Sequence, residues 1–240
     1  MRIDIITIFP EALKPLELSI IGRARSAGRL EIVLHDLRDF TTDRHRKVDD
    51  KPFGGGVGMV MMAEPFYRAV NWVRAEAGPG QVVLLSPSGA VFNQARAAGL
   101  AAAKHLILLC GHYEGVDARV REFCDLELSI GDYILTSGET AALVVVEAVA
   151  RLLPGVLSAG AAAEESFSQH LLEWPQYTRP ADWRGRPVPP VLIGGHHREI
   201  AAWKLRAAED ATRRRRPDLW RRYRAALKAA GHPPAAGKKK

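Results

Sequence analysis

Apolar positions along the chain fall into short β-rich runs separated by stretches of helical spacing. Ile3–Phe9, Leu30–His35, Val82–Ser86 and His105–Cys110 are such runs. Near-continuous Val/Ile/Leu runs of this length predict strands buried on both faces, the mark of a parallel sheet. Between them lie helical stretches. Ala63–Ala77 opens with Pro65 in its first turn, where a missing N–H costs nothing. Asn93–Ala103 is alanine-rich, with Asn93 as its cap. Ser137–Leu153 is long and mostly apolar, with Thr136 to Glu139 as a capping box and Pro154-Gly155 as its stop. Alternating strands and helices predict an α/β domain over residues 1–158.

Past residue 158 the pattern changes. Ser158–Ala163 is small and featureless, so residues 159–170 read as an interdomain linker. Leu171–Pro190 holds prolines at 175, 180, 187, 189 and 190 and reads as irregular. Two amphipathic helices are then expected, His197–Glu209 and Pro217–Ala230. Leu219, Trp220, Tyr223 and Leu227 fall at helical spacing in the second. Trp203, Trp220 and Tyr223 could stack on bases, but this spacing fits a core better. A small helical domain over residues 171–240 is the expectation.

Charge sharpens this division. Residues 1–170 carry 17 Lys+Arg against 21 Asp+Glu, while residues 171–240 carry 17 against 6. The whole positive excess of the chain, +7 overall, therefore sits in its last third. That asymmetry points to a polyanionic partner, most simply a nucleic acid. No apolar run approaches the roughly 20 residues of a membrane helix, and the first ten residues alternate like a strand. A cytoplasmic protein without membrane contact is the expectation. Cys110 and Cys124 are too few for a disulfide framework or a four-thiolate zinc site.

Familiar catalytic templates are absent. There is no Gly-x-x-x-x-Gly-Lys-[Ser/Thr], no Gly-x-Gly-x-x-Gly after the first strand and no Gly-x-Ser-x-Gly. His196 and His197 are adjacent, so they cannot share one metal from a helix face. What remains is a site of backbone, carboxylates and arginines. Two glycine turns, Gly111–Arg119 (GHYEGVDAR) and Ser129–Glu139 (SIGDYILTSGE), each follow an apolar run and suit one ligand gripped from two sides. The charge-dense, then glycine-dense, stretch Thr41–Met62 suits a loop closing over a ligand.

Seven segments in order carry a resemblance: DRHRKVDDKPFGGGVGM, LLSPSG, GHYEGVDAR, SIGDYILTSGE, RLLPGVL, LLEWPQYTRP and VPPVLIGGHHREI. Together they resemble the bacterial tRNA (guanine-37-N1)-methyltransferases of the TrmD type, over nearly the whole chain. The resemblance implies a SPOUT methyltransferase, whose α/β domain with its parallel sheet is tied in a deep trefoil knot. It implies S-adenosylmethionine as methyl donor and, as substrate, tRNA with guanosine at positions 36 and 37. It implies a homodimer whose active site is shared between subunits. Magnesium is used in the family, but no cluster here reads as a metal site.

By the same resemblance, Ser86, Pro87, Gly111, Tyr113, Glu114, Ile130, Gly131, Asp132, Tyr133, Ile134, Leu135, Ser137 and Gly138 are expected to hold the cofactor. His45, Asp49 and Gly58 are expected near the target guanine. The family's catalytic aspartate corresponds to Glu165, with Glu164 as fallback, and its catalytic arginine to Arg151. His112, Ser137 and His170 depart from the family, which has arginine, glycine and glycine there. Two alternatives stay open: a related SPOUT enzyme acting on another RNA, and a non-catalytic RNA-binding homologue. The motifs YTRP and GGHHREI favour the first reading over the related enzyme, while Glu165 in place of the family's aspartate keeps the non-catalytic homologue open.

Overall fold

The computed structural model describes residues 1–158, 160–161 and 165–231. The chain forms two compact units, Met1–Ser158 and Ala159–Lys240.

The first unit is built on a five-stranded sheet. Its strands are β1 (Arg2–Thr7), β2 (Glu31–Asp36), β5 (Gln81–Val91), β6 (His105–Cys110) and β7 (Leu126–Ser129), ordered β2-β1-β6-β5-β7. Every pairing in it is parallel. β6 is buried at all six positions, as an apolar run covered on both faces must be. Ile3, Ile5, Val83, Leu85, Leu106 and Leu108 pack on one face with Val145, Val146 and Val149 of α4 (Gly138–Ala150). α1 (Ser19–Ser26) and α3 (Gln94–Ala101) add Ala24 and Ala97 to the same cluster. On the other face Val82, Leu84, Ile107 and Leu109 meet Phe66, Val70 and Val73 of α2 (Ala63–Ala77).

Local chemistry sets the helix ends. Asn93 caps α3 by accepting from the Arg96 N–H at 3.1 Å, as expected. The capping box expected at Thr136 to Glu139 does not form. Ser137 is the N-cap of α4 and makes no side-chain cap bond. Glu139 is 1% exposed and instead accepts a hydrogen bond from Thr7 Oγ1 at the end of β1. A tertiary partner has displaced the local one.

Two further differences come from non-local pairing. β5 runs on to Val91, well past the expected Ser86, because Ala90 and Val91 rejoin β7 after a break in the ladder that follows Leu85. The stretch Thr41–Met62 is stiffened at its base by a two-residue antiparallel ladder, β3 (Asp49–Asp50) with β4 (Val60–Met61).

The second unit is helical, with α5 (His197–Arg215) and α6 (Pro217–Ala229). α5 runs six residues beyond its expected end at Glu209, where Asp210 pairs with Arg213 and Arg214 along the helix face. Pro217 then opens the next helix. Leu171, Ala208 and Tyr223 form a small core, with Trp220 and Leu227 packed on it. The stretch Leu171–Pro190 is irregular apart from a short hairpin of β8 (Asp182–Trp183) and β9 (Arg186–Pro187). Residues 165–173 fold on themselves: the Phe167 N–H donates to the Leu171 carbonyl and the Glu173 N–H to Ser166 Oγ. No helix among the described residues is long and apolar enough to cross a membrane.

Candidate functional site

Parallel strands that end side by side leave their loops together at one edge, where ligands of α/β sheets bind. Three such loops meet here. The first is the irregularity in β5, residues 86–89. Gly89 is required there, since a Cβ on it would lie 2.4 Å from the Leu128 backbone nitrogen. The second loop leaves β6 at Gly111, and the third leaves β7 at Ile130. The second and third touch directly. The Gly138 N–H donates to the Gly111 carbonyl at 2.8 Å, and His112 bridges Ser137 in antiparallel fashion.

These loops enclose a cavity of about 330 Å³. Of the expected cofactor residues, Ser86, Pro87, Gly111, Tyr113, Glu114, Ile130, Gly131, Tyr133, Ile134, Leu135, Ser137 and Gly138 line it. Asp132 is not among its lining residues. An apolar tyrosine and leucine at positions 133 and 135 could as well be ordinary core, but both are exposed, Tyr133 at 55% and Leu135 at 37%. Ile134 is 83% exposed. Three consecutive apolar side chains on a cavity wall, outside the core, form a surface suited to a flat or apolar ligand. Tyr133 is oriented by its own loop, its hydroxyl donating to the Ile130 carbonyl at 3.1 Å.

Sequence reasoning passed over Arg121 and Ser88, which also line the cavity, as does His112, one of the departures from the family. Arg121 is held by Glu127, with its Nε 3.0 Å from Oε2 and 3.1 Å from Oε1. That guanidinium keeps the Glu127 carboxylate below its usual range against the opposing effect of burial. The only signal for Arg121 was its charge beside a glycine turn. The His112 ring lies edge-on between Phe9, 5.1 Å away, and Tyr113, 4.7 Å away. Its Nδ1 is buried without a hydrogen-bond partner among the described residues. Ser137 has φ −155° and ψ 158°, extended backbone that needs no glycine, so this departure introduces no strain.

The second loop is tied to the stretch 41–62. The Glu114 N–H donates to the Met59 carbonyl, the Met61 N–H to the Gly115 carbonyl, and the Asp117 N–H to the Met61 carbonyl. Gly58, in the left-handed region at φ +89°, lets the chain pass the Glu114 side chain, which a Cβ would meet at 2.6 Å. Asp49 pairs with Met61 in the short ladder, and His45 is exposed with its N–H bonded to Asp43 Oδ1. The loop tip holds Phe53 and Val57 fully out in solvent.

Arg151 is the C-cap residue of α4 and is half-buried. Glu165, in the second unit, lines a separate cavity with Trp174, His197 and Lys204, and its carbonyl accepts from Ser168 Oγ at 2.7 Å. Glu164 lies outside the described residues. Lys204 Nζ sits 4.3 Å over the Trp174 ring. His170 has φ +60°, so the position where the family carries glycine is one whose backbone favours glycine. Neither thiol is set up as a nucleophile: burial, then Glu139, raises Cys110, and burial with Asp125 pushes Cys124 up to about 12. Among the described residues no group of three or more His, Cys, Asp or Glu could hold a metal ion.

Residues 1–222 match a protein family described as tRNA (Guanine-1)-methyltransferase TrmD. A relative from Chloroflexus aurantiacus, named tRNA (guanine-N(1)-)-methyltransferase, is 56% identical over 229 residues, covering 94% of this chain and 90% of the relative. Proteins of the same name from Heliobacterium modesticaldum and Micrococcus luteus are 52% and 50% identical. They cover 91% and 92% of this chain, and 84% and 97% of their own lengths.

Proposed function

The chain belongs to the TrmD family of tRNA (guanine-1)-methyltransferases, and on that premise we propose that it methylates N1 of the guanosine just 3′ of the anticodon, in tRNAs where a guanosine precedes it. Its activity is that of a tRNA guanine-N1 methyltransferase, and the finer reading adds S-adenosylmethionine as donor, bound in the cavity of the three loops. The observation that carries this reading is the direct contact of the Gly111 and Gly138 turns around that cavity.

The residues present suit such a cofactor. Tyr133, Ile134 and Leu135 offer an apolar wall, and Glu114 a carboxylate for a cationic or hydroxyl-rich portion. S-adenosylmethionine supplies an electrophilic methyl on a sulfonium. We assign Asp132 no direct contact with it, since Asp132 does not line the cavity. The strand order, with β7 outside β5 and its following turn returning to the end of β6, fits the deep trefoil knot of SPOUT enzymes.

Guanine N1 carries a proton, so a base must take it before N1 can attack. We assign this to the Glu165 carboxylate, contributed by the second subunit of a homodimer. Negative charge then grows on O6, and the Arg151 guanidinium stabilises it. A glutamate here is one methylene longer than the family's aspartate, which moves the carboxylate outward without changing its chemistry. His45, Asp49 and Gly58 would border the target base, and the basic helices of the second unit would contact tRNA phosphates. The biological outcome of such a modification beside the anticodon is maintenance of the reading frame.

The test uses purified protein, labelled S-adenosylmethionine and two tRNA transcripts, one with guanosine and one with adenosine at the target site. Methyl transfer confined to the guanosine transcript is expected. Equal labelling of both would overturn the assignment of N1-guanine as the acceptor.

A further inference from the structure

The hairpin β8–β9 has no part in the roles assigned above. Asp182 pairs with Pro187 and Trp183 with Arg186, and the Val188 N–H extends the ladder to the Ala181 carbonyl at 2.8 Å. Arg184 and Gly185 form the two-residue turn, both with positive φ, +54° and +73°. Two left-handed residues in succession make the type I′ turn that suits the twist of a hairpin. Asparagine or glycine is the usual first residue of such a turn, because other side chains crowd the backbone there. An arginine in that place needs another reason.

Its surroundings supply one. Trp183 is 53% exposed at the base of the turn. The Arg184 guanidinium lies 5.3 Å from its ring centroid and that of Arg186 5.7 Å. Every residue from 181 to 187 is exposed, so the tryptophan contributes no core. Asp182, the one acid of the hairpin, is occupied by the turn, its Oδ1 accepting from the Gly185 N–H at 2.9 Å. The result is an aromatic face between two cations on a projecting turn, in the part of the chain that carries all the positive excess. An aromatic face takes a base by stacking, and flanking arginines take the phosphates beside it. Paired bases present no free face, so the fitting occupant is an unpaired nucleotide.

We propose that Trp183, with Arg184 and Arg186, is a stacking clamp for an unpaired nucleotide of the bound tRNA, outside the reacting guanosine. This rests on the reading of tRNA as substrate. It makes Trp183 a determinant of tRNA affinity, with no part in methyl transfer.

The test compares full-length wild type with Trp183→Ala, Arg184→Gly and Arg186→Gln. Trp183→Ala should weaken tRNA binding about tenfold, the scale of one lost base stack. Its rate at saturating tRNA and its affinity for S-adenosylmethionine should stay at wild-type values. Each arginine variant should lower the slope of log affinity against log salt by about one. Arg184→Gly relieves a crowded backbone, so its weaker binding should come with an unchanged or higher melting temperature. Trp183→Ala binding tRNA within twofold of an active wild type overturns the clamp alone. A fall in maximal rate at unchanged tRNA affinity also overturns it. So does conversion of Trp183→Ala to a monomer in sedimentation, which would place the hairpin against a second copy of the chain. A wild type that binds no tRNA overturns the substrate reading and the clamp together.

Discussion

Gly138 and Gly111 are joined by a backbone hydrogen bond of 2.8 Å, and a Cβ on Gly138 would stand 2.8 Å from Cys110 Cα and 2.9 Å from the Gly111 nitrogen. Two loops that leave different strands therefore meet with no space for a methyl group between them. Gly138→Ala is expected to push the loops apart and destabilise the first unit by about 1–3 kcal/mol. Affinity for S-adenosylmethionine should fall with it. Calorimetric titration and thermal melting on the same preparation check both. A variant that melts and binds like wild type would show that this contact does not shape the cavity.

His170 offers the opposite experiment. Its φ of +60° strains any residue with a Cβ, by about 1–2 kcal/mol, against which a glycine loses about 0.5–1 kcal/mol in entropy. His170→Gly is thus expected to stabilise the second unit by up to about 1 kcal/mol. Four of the five tryptophans, at 174, 183, 203 and 220, lie in that unit, so denaturation followed by tryptophan fluorescence reports on it. A lowered midpoint would mean that the imidazole contributes more than its backbone costs.

Asp4 is fully buried in β1 and receives Arg2 Nε at 2.7 Å, Arg2 Nη2 at 2.9 Å, His35 Nε2 at 2.6 Å and His105 Nε2 at 2.8 Å. Burial by itself would raise this carboxyl. The hydrogen bonds of His35, Arg2 and His105 outweigh it and hold the group well below the usual carboxylate range. Because the folded state has the lower pKa, the stabilisation is present above the unfolded value near ~3.9 and is lost as pH falls toward the folded one. Wild-type stability should drop from about pH 5 downward. Asp4→Asn should be about 3 kcal/mol less stable at neutral pH and lose much of that acid slope. Urea denaturation at a series of pH values measures both. Parallel slopes in the two proteins would assign the acid loss to other carboxylates.

Glu165→Gln keeps size and polarity but cannot accept a proton. Methyl transfer should fall by about 10²–10⁴ in maximal rate, with S-adenosylmethionine affinity unchanged. Glu165→Asp, which restores the family's residue, should stay within about tenfold of wild type. Single-turnover kinetics with saturating cofactor reads the chemical step. Full activity of Glu165→Gln would transfer the role to another carboxylate, Glu164 first.

Much of this was legible in the chain because it was local. The apolar run His105–Cys110 could only be a strand covered on both faces, and α2 begins and ends at the expected Ala63 and Ala77. The glycine turns announced loops of close approach, and they line the cavity. Their contact with each other could not be read, since it joins the end of β6 to the start of α4. The same limit explains Glu139, whose partner Thr7 is 132 positions away and defeats the nearby capping pattern. It also explains β5 beyond Ser86, where the ladder with β7 outweighs the propensities of Pro87 and Gly89. The stretch 210–215 lay beyond the expected helix end at Glu209, but its acid and bases stand at spacings of three and four and extend α5.

The bonds between Met59–Met61 and Glu114–Asp117 bind the base of the Phe53 loop to the wall of the three-loop cavity. The two cannot move as strangers: a tip that settled on RNA would pull on the same backbone that frames the cavity. Where such traffic exists, thermodynamics makes it symmetrical, so whatever tRNA adds to donor affinity, the donor must return to tRNA in equal measure. On the proposed reading, one strip of ladder would thus make arrival of either substrate news to the other.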